Sequence, residues 1–215
     1  GWTILGEEAY PTGTSDFSSA LMKARTSGAQ VIMPVFDMPQ GGILVKQWKS
    51  MKVPAVMAGF ISPLAGSDAW DTFDKKIGGA MNSIFELGSA ISSDRVPPSV
   101  KFDEAYRKTY GKPLQAGHGP APSYESVYIL AEAIERSGNL DPDALVAALE
   151  KTDRRGVMGR IHFDEGHQAV FGNDPAETAV GCIFQWTDAG RRQIVYPESI
   201  AEAKIQLPAG LTSLK

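Results

Sequence analysis

The stretch that most limits what this chain can fold into is 29–60, AQVIMPVFDMPQGGILVKQWKSMKVPAVMAGF, which reads strand, helix, strand. The apolar run Val31-Ile32-Met33-Pro34-Val35-Phe36 is short and bounded by turn formers, as a buried parallel strand is. Asp37-Met38-Pro39 ends it. Ile43, Leu44, Val45, Trp48 and Met51 then recur at mostly helical spacing, leaving Lys46, Gln47, Lys49 and Ser50 for the other face. Pro54 stops that helix, and Ala55-Val56-Met57-Ala58 is a second short buried strand. Parallel strands need such a crossover, which is nearly always right-handed. Ligands of open α/β sheets sit outside the carboxyl ends of the strands, here Phe36-Asp37 and Gly59-Phe60.

The flanking sequence extends this pattern. Residues 2–7 read as a strand and 10–14 as a loop. Ser15 or Asp16 then caps a helix whose apolar face is Phe17, Leu21 and Ala24 and which Gly28 ends. A short helix is expected at 68–73, a strand at 78–85 and a helix at 99–110 after Pro97-Pro98. This alternation argues a parallel α/β sheet. Residues 111–122, GKPLQAGHGPAP, read as a linker, with a hinge near 117–122. A helix follows at 123–137, with Val127, Leu130, Ala131 and Ile134 as its buried face and Ile129 and Ala133 beside it. Asp141-Pro142 opens another helix, 142–151. Strands return at 159–163, 180–187 and 193–196, the last two around the turn Asp188-Ala189-Gly190. A second crossing is expected near 166–175.

Several functions are disfavoured. The net charge of −4 and the lack of a long basic run argue against nucleic acid and anionic membrane surfaces. No apolar stretch approaches the ~18 residues of a membrane span. The single cysteine, Cys182, reads as a buried, inert thiol with no partner for an internal disulfide. No signal peptide is evident, and a chain opening directly on a strand is expected to be a mature protein or a fragment. No phosphate-cradling glycine loop follows the first strand, there is no Gly-x-Ser-x-Gly elbow, and no cofactor is indicated. Gly41-Gly42 could receive an anion at a helix start, but close helix packing is the favoured reading. His162, Asp164 and His167 form the most metal-like group, although Asp164-Glu165-Gly166 is ordinary turn chemistry. His118, alone in the glycine-proline stretch, reads as a hinge or surface residue. Glu7 and Glu8 would point to opposite faces of a strand and make no catalytic pair. Phe36 and Phe60 either contact a small ligand or cap the core. Asp37 either meets a ligand ammonium group or caps the following helix.

Several stretches together resemble a known family. They are Gly13-Thr14-Ser15-Asp16-Phe17, Lys46-Gln47, and Ser123-Tyr124-Glu125-Ser126-Val127-Tyr128-Ile129-Leu130-Ala131-Glu132-Ala133-Ile134. To these are added Gly159-Arg160-Ile161-His162-Phe163-Asp164-Glu165-Gly166, Phe184-Gln185-Trp186 and Val195-Tyr196-Pro197. In this order they resemble the later part of periplasmic substrate-binding proteins of ATP-driven (ABC) importers, the branched-chain amino acid and amide group with the type I periplasmic binding fold. The resemblance implies a parallel-sheet, three-layer α/β lobe with an incomplete helical part of a second lobe. Residues 1–117 would be the second lobe, 118–166 a hinge crossing with first-lobe helices, and 167–215 the return with a closing hairpin. It further implies a non-enzymatic extracytoplasmic receptor, periplasmic or lipid-anchored. Such a receptor traps a small polar metabolite in an interlobe cleft by hinge closure and presents it to a membrane permease.

Family members carry a further stretch upstream that holds most of the first lobe. Without it, the helix pair at 123–151 would expose an apolar face and pair with a partner chain or a rearranged surface. Carried over by position, Phe36, Asp37 and Met38 match a cleft segment, Gly119 and Pro120 the hinge-side rim, and Tyr10 a loop on the same edge. Phe60 stands where amino-acid binders often place an acid for the ammonium group. Either Asp37 replaces that acid, or the ligand is aromatic or lacks an ammonium. The alternatives are a ligand-sensing regulatory domain of the same fold, or a metal-dependent hydrolase using His162, Asp164 and His167.

Overall fold

Pro34 divides the first expected strand in two. In the computed structural model, which describes residues 1–114 and 117–214, β1 (Val31–Ile32) and β2 (Val35–Phe36) both pair in parallel with β3 (Val56–Ile61). Proline has no N–H to donate to a ladder, so the pairing lapses at Met33-Pro34. The register does not slip: Val31 faces Val56 and Val35 faces Phe60, the same offset on both sides of the break. Gly59 lies opposite the break, where a Cβ would run into the Pro34 carbonyl. The strand-helix-strand unit is present as expected, with β3 running on to Ile61.

The chain forms two compact units. The first comprises Gly1–Ser83, Ile183–Val195 and the chain from Glu202 on. Its sheet runs in the order β1-β3-β4-β9-β10, where β4 is Met81–Ile84, β9 Cys182–Trp186 and β10 Arg192–Tyr196. β3 and β4 are parallel, with Gly59 facing Asn82. Helix α2 (Gln40–Met51) buries Leu44, Val45 and Trp48, and the Trp48 indole donates to the Ala55 carbonyl at 2.9 Å. Gly41 and Gly42 serve packing: a Cβ on Gly41 would lie 2.7 Å from the Phe36 Cβ, and one on Gly42 would strike the Phe73 ring. Within the short α3 (Ala69–Thr72), Trp70 stacks on buried Trp186, whose indole donates to the Leu64 carbonyl at 3.1 Å.

Two expectations for this unit are corrected. Residues 2–7 form no strand: a strand needs a paired neighbour, and Trp2, Ile4 and Leu5 stand exposed without one. Helix α1 (Ser18–Thr26) is not capped by the side chain of its N-cap residue, which is Phe17. The expected bond to a first-turn N–H is nonetheless made: Asp16, one position before the N-cap, accepts the Ser18 N–H at 2.9 Å, which holds its carboxyl below the usual range.

The second unit comprises Ile84–Cys182 and Tyr196–Ala201. It contains α4 (Pro97–Tyr110), α5 (Pro120–Ser137) and α6 (Pro142–Leu149). It also holds a sheet that the sequence reading saw only in part, ordered β5-β6-β8-β7. These strands are β5 (Arg154–Gly156), β6 (Gly159–Ile161), β7 (Phe171–Gly172) and β8 (Ala179–Val180). Ala121, Ile129, Val157, Met158, Ile161 and Ala179 make its core. The expected strand at 180–187 breaks at Gly181, where a Cβ would lie 2.7 Å from the Phe85 carbonyl oxygen, so β8 and β9 join different sheets.

The buried face of α5 also differs from the expected one. It is Ala121, Glu125, Ile129 and Ala133, while Val127 and Leu130 are exposed. A carboxylate sits in the buried stripe because the β5–β6 hairpin supplies its partners. Glu125 accepts the Val157 N–H at 2.5 Å and the Arg154 Nε–H at 2.6 Å. Arg154 also pairs with Glu132 and lies 4.7 Å over the Tyr128 ring. We predict that Glu125→Ala, which leaves the buried Val157 N–H without its acceptor and Arg154 with Glu132 alone, destabilises the second unit by about 3 kcal/mol in urea unfolding. A loss within a few tenths of a kcal/mol would mean the helix is held by its apolar contacts alone. In the first unit, Gly59→Ala should lower the midpoint by forcing the Pro34 carbonyl aside; an unchanged thermal midpoint would refute that close approach.

Candidate functional site

The loop 10–17 is held by two glutamines seven residues apart on α2, a spacing that puts both on one helical face. Gln40 is buried; its Oε1 accepts the Gly13 N–H at 3.1 Å and its Nε2 donates to the Pro11 carbonyl at 3.3 Å. Gln47 accepts the Phe17 N–H at 2.7 Å and donates to the Ser15 carbonyl at 2.9 Å. The sequence reading had assigned Gln47 to the outer face. With the loop fixed, Tyr10 meets Phe17 edge-on at 5.0 Å, and Phe17 meets Phe36 at 5.8 Å. This row of rings links Tyr10 to the carboxyl end of β2.

Polar chemistry surrounds that row. The Tyr10 hydroxyl donates to Glu8, which also pairs with Lys23 at 2.6 Å. Burial, and then the hydrogen bond to Glu8, push the Tyr10 hydroxyl up to about 12. The bonds from Lys23 and Tyr10 hold the Glu8 carboxyl below its usual range. Asp37 and Met38 follow β2 and are exposed. Pro39 is the N-cap of α2 and no side chain caps it, so the capping role considered for Asp37 is not the one it takes. Phe60 is half-buried and faces Val35, while its neighbour Ile61 faces Phe36. Tyr10, Phe36, Asp37, Met38 and Phe60 all belong to the first unit; Phe36 joins Tyr10 through Phe17, whereas Phe60, opposite Val35, leaves the ladder on the other face from Phe36.

Gly119 and Pro120 belong to the second unit, at the start of α5. Gly119 has φ +101°, a conformation that favours glycine. Its N–H donates to buried Glu86 at 2.7 Å. The Ser89 hydroxyl also donates to Glu86 and accepts the Ala121 N–H at 3.1 Å. The stretch 117–122 therefore lies within the second unit, and 119–121 are tied down rather than loose. Beside it, Phe85 and His118 pair their rings at 5.7 Å.

Of the residues of the metal reading, His162 has its Nδ1 buried without a hydrogen-bond partner among the described residues, and the other two are engaged separately. Asp164 accepts the N–H groups of Gly166 and Gln168, each at 2.9 Å, and His167 contacts Glu150 at 3.0 Å. Among the described residues no group of three or more His, Cys, Asp or Glu could hold a metal ion.

Residues 1–183 match the family model for periplasmic binding proteins. The chain belongs to that family. Among relatives, a Leu/Ile/Val-binding protein homolog 8 from Brucella abortus (strain 2308) is 26% identical over 213 residues, covering 96% of this chain and 50% of the relative. The chain thus spans half the length of the relative it matches. Among solved structures, a putative branched-chain amino acid ABC transporter protein from Silicibacter pomeroyi aligns with TM-score 0.77 at 17% identity, over 92% of this chain and 52% of that one. A solute-binding protein from R. palustris, in complex with benzoate, aligns with TM-score 0.64 at 12% identity, over 94% and 52%. At these identities the structures establish the fold, which is the one the sequence resemblance implied.

Local sequence patterns do not point to Glu8, Lys23 or Gln40 around Tyr10, nor to Glu86 or Ser89 beside Gly119 in the second unit. The one available signal was the heptad spacing of Gln40 and Gln47. One consequence can be measured by absorbance titration. Because the Tyr10 hydroxyl keeps its proton longer in the folded state, its contribution to stability is present below the ordinary value of 10.0 and is lost as pH rises toward 12. Tyr10→Phe should remove one late tyrosine ionisation and flatten stability over that range. Loss of an ionisation near the ordinary 10.0 instead would refute the bond to Glu8.

Proposed function

We propose that this chain is part of a solute-binding receptor of an ABC importer and that its first unit supplies the ligand-contacting end of β2 and β3. The observation that carries the reading is Asp37: an exposed carboxylate at the carboxyl end of a parallel strand, released from capping the next helix. In this reading Phe36, Phe60, Met38 and Tyr10 supply the apolar contacts around it. A carboxylate with aromatic and thioether neighbours suits an α-amino acid with an apolar side chain, whose ammonium meets Asp37 while its side chain packs on the rings. In this assignment Asp37 replaces the acid that Phe60 displaces. The role is capture without catalysis, outside the cytoplasm, with delivery to a membrane permease.

Isothermal titration with L-leucine and with benzoate tests the ligand assignment. We expect L-leucine to bind and Asp37→Ala to weaken it about tenfold or more, the scale of a lost charge-assisted hydrogen bond. Benzoate binding that ignores Asp37→Ala, with no leucine binding, would replace the amino acid by an aromatic acid.

Helix α5 bears on what else the receptor contains. One side is buried, yet Tyr124, Val127, Tyr128 and Leu130 are exposed on the rest of its surface. We propose that this second side packs on the additional half that relatives possess. The 215-residue chain alone should then self-associate in analytical ultracentrifugation, and the pair Val127→Asp and Leu130→Asp should restore a monomer. A wild-type chain that stays monomeric at high concentration would count against such an interface.

A further inference from the structure

We infer that Asn82 is the positioning residue of the proposed ligand-binding end, acting through Phe60; the inference rests on the reading of Phe60 as a ligand contact. Asn82 lies on β4, opposite Gly59 of β3, and is fully buried. Its Oδ1 accepts the Ile61 N–H at 2.8 Å. Its Nδ2 is buried without a hydrogen-bond partner among the described residues.

A carboxamide is a poor choice for this place if packing alone is the task. A buried amide donor left unpaired is costly, whereas leucine has similar volume and no polar atoms. The acceptor end explains the choice. The pairing of β3 with β4 runs Ala58 to Met81 and Gly59 to Asn82. Ile61 lies two residues past the last of these pairs, and the Asn82 side chain supplies the acceptor for its N–H.

The effect falls on Phe60. On its N-terminal side, Gly59 lies so close to the Pro34 carbonyl that no Cβ fits. On its C-terminal side, Ile61 is held by Asn82 and faces Phe36 in the ladder. With the backbone clamped at both neighbours, the Phe60 ring has a defined origin and direction at the strand end. A small ligand that packs on this ring needs such definition, because displacing a contact by about 1 Å can undo a fit. Since Asn82 is fully buried, it sets the shape of the site without touching the ligand.

Two variants separate the roles of the two ends of the amide. Asn82→Asp keeps an acceptor for Ile61, and Asn82→Leu removes it. In the ligand-free chain, amide hydrogen exchange at Ile61 should accelerate at least about tenfold in Asn82→Leu relative to Asn82→Asp, and the Phe60 ring resonances should move. Equal protection of Ile61 in the two variants overturns the proposal. The second arm measures affinity for L-leucine and benzoate. Asn82→Leu should weaken whichever probe binds the unaltered protein. Combined with Phe60→Ala, it should add nothing further, since its effect passes through that ring. A full additive loss would mean that Asn82 acts by another route and also overturns the proposal. If neither probe binds the unaltered protein, the receptor reading fails, and the exchange arm alone decides the role of Asn82.

Discussion

The lapse of the ladder at Pro34 governs how this chain presents a site. A proline inside a sheet removes a donor, and the usual outcomes are an edge position or a bulge that shifts register. Here the register continues unchanged from Val31 opposite Val56 to Val35 opposite Phe60. The cost is met by Gly59, whose missing side chain lets the Pro34 carbonyl come close. Because the register holds, Phe36 and Phe60 finish at the same end of the sheet. Facing Ile61 and Val35 respectively, their side chains leave the ladder on opposite faces, Phe36 toward Gly41 of α2 and Phe17. Phe17 and Tyr10 then build on Phe36, and the whole aromatic edge inherits its position from this one pairing.

The second unit is organised differently, around two buried carboxylates. Glu125 joins α5 to the β5–β6 hairpin, and Glu86 joins the start of α5 to the segment that follows β4. Both accept backbone N–H groups, which in a low-dielectric interior fixes direction as well as distance. Gly119 and Pro120 are therefore a constrained helix start, although their composition reads as a flexible linker. Glycine at φ +101° and a proline without a donor each suit that start in its own way.

Much of the architecture was legible in the sequence. The crossover at 29–60, the glycine packing of α2, the proline starts of α4 and α6, and the turn at Asp164 follow from local chemistry, which a residue carries with it. The errors share one cause. Residues 2–7 have strand character but no partner, and 180–187 has one hydrophobic run but serves two sheets. The buried face of α5 was misjudged because its centre is charged, and hydrophobic spacing cannot register a carboxylate whose partners come from 154 and 157.

The candidate site divides along the same line. By itself the sequence determined that Phe36, Asp37 and Phe60 end neighbouring parallel strands, because strand periodicity and proline stops are local properties. It also carried the family, because the order of weak motifs survives where each alone would not. Only the tertiary structure decided that Asp37 leaves α2 uncapped, that Gln40 and Gln47 bind the Tyr10 loop, and that Asn82 holds Ile61. Those outcomes depend on which groups meet across 20 or more residues. A polar side chain's partner is set by where the chain returns, and no local pattern records that.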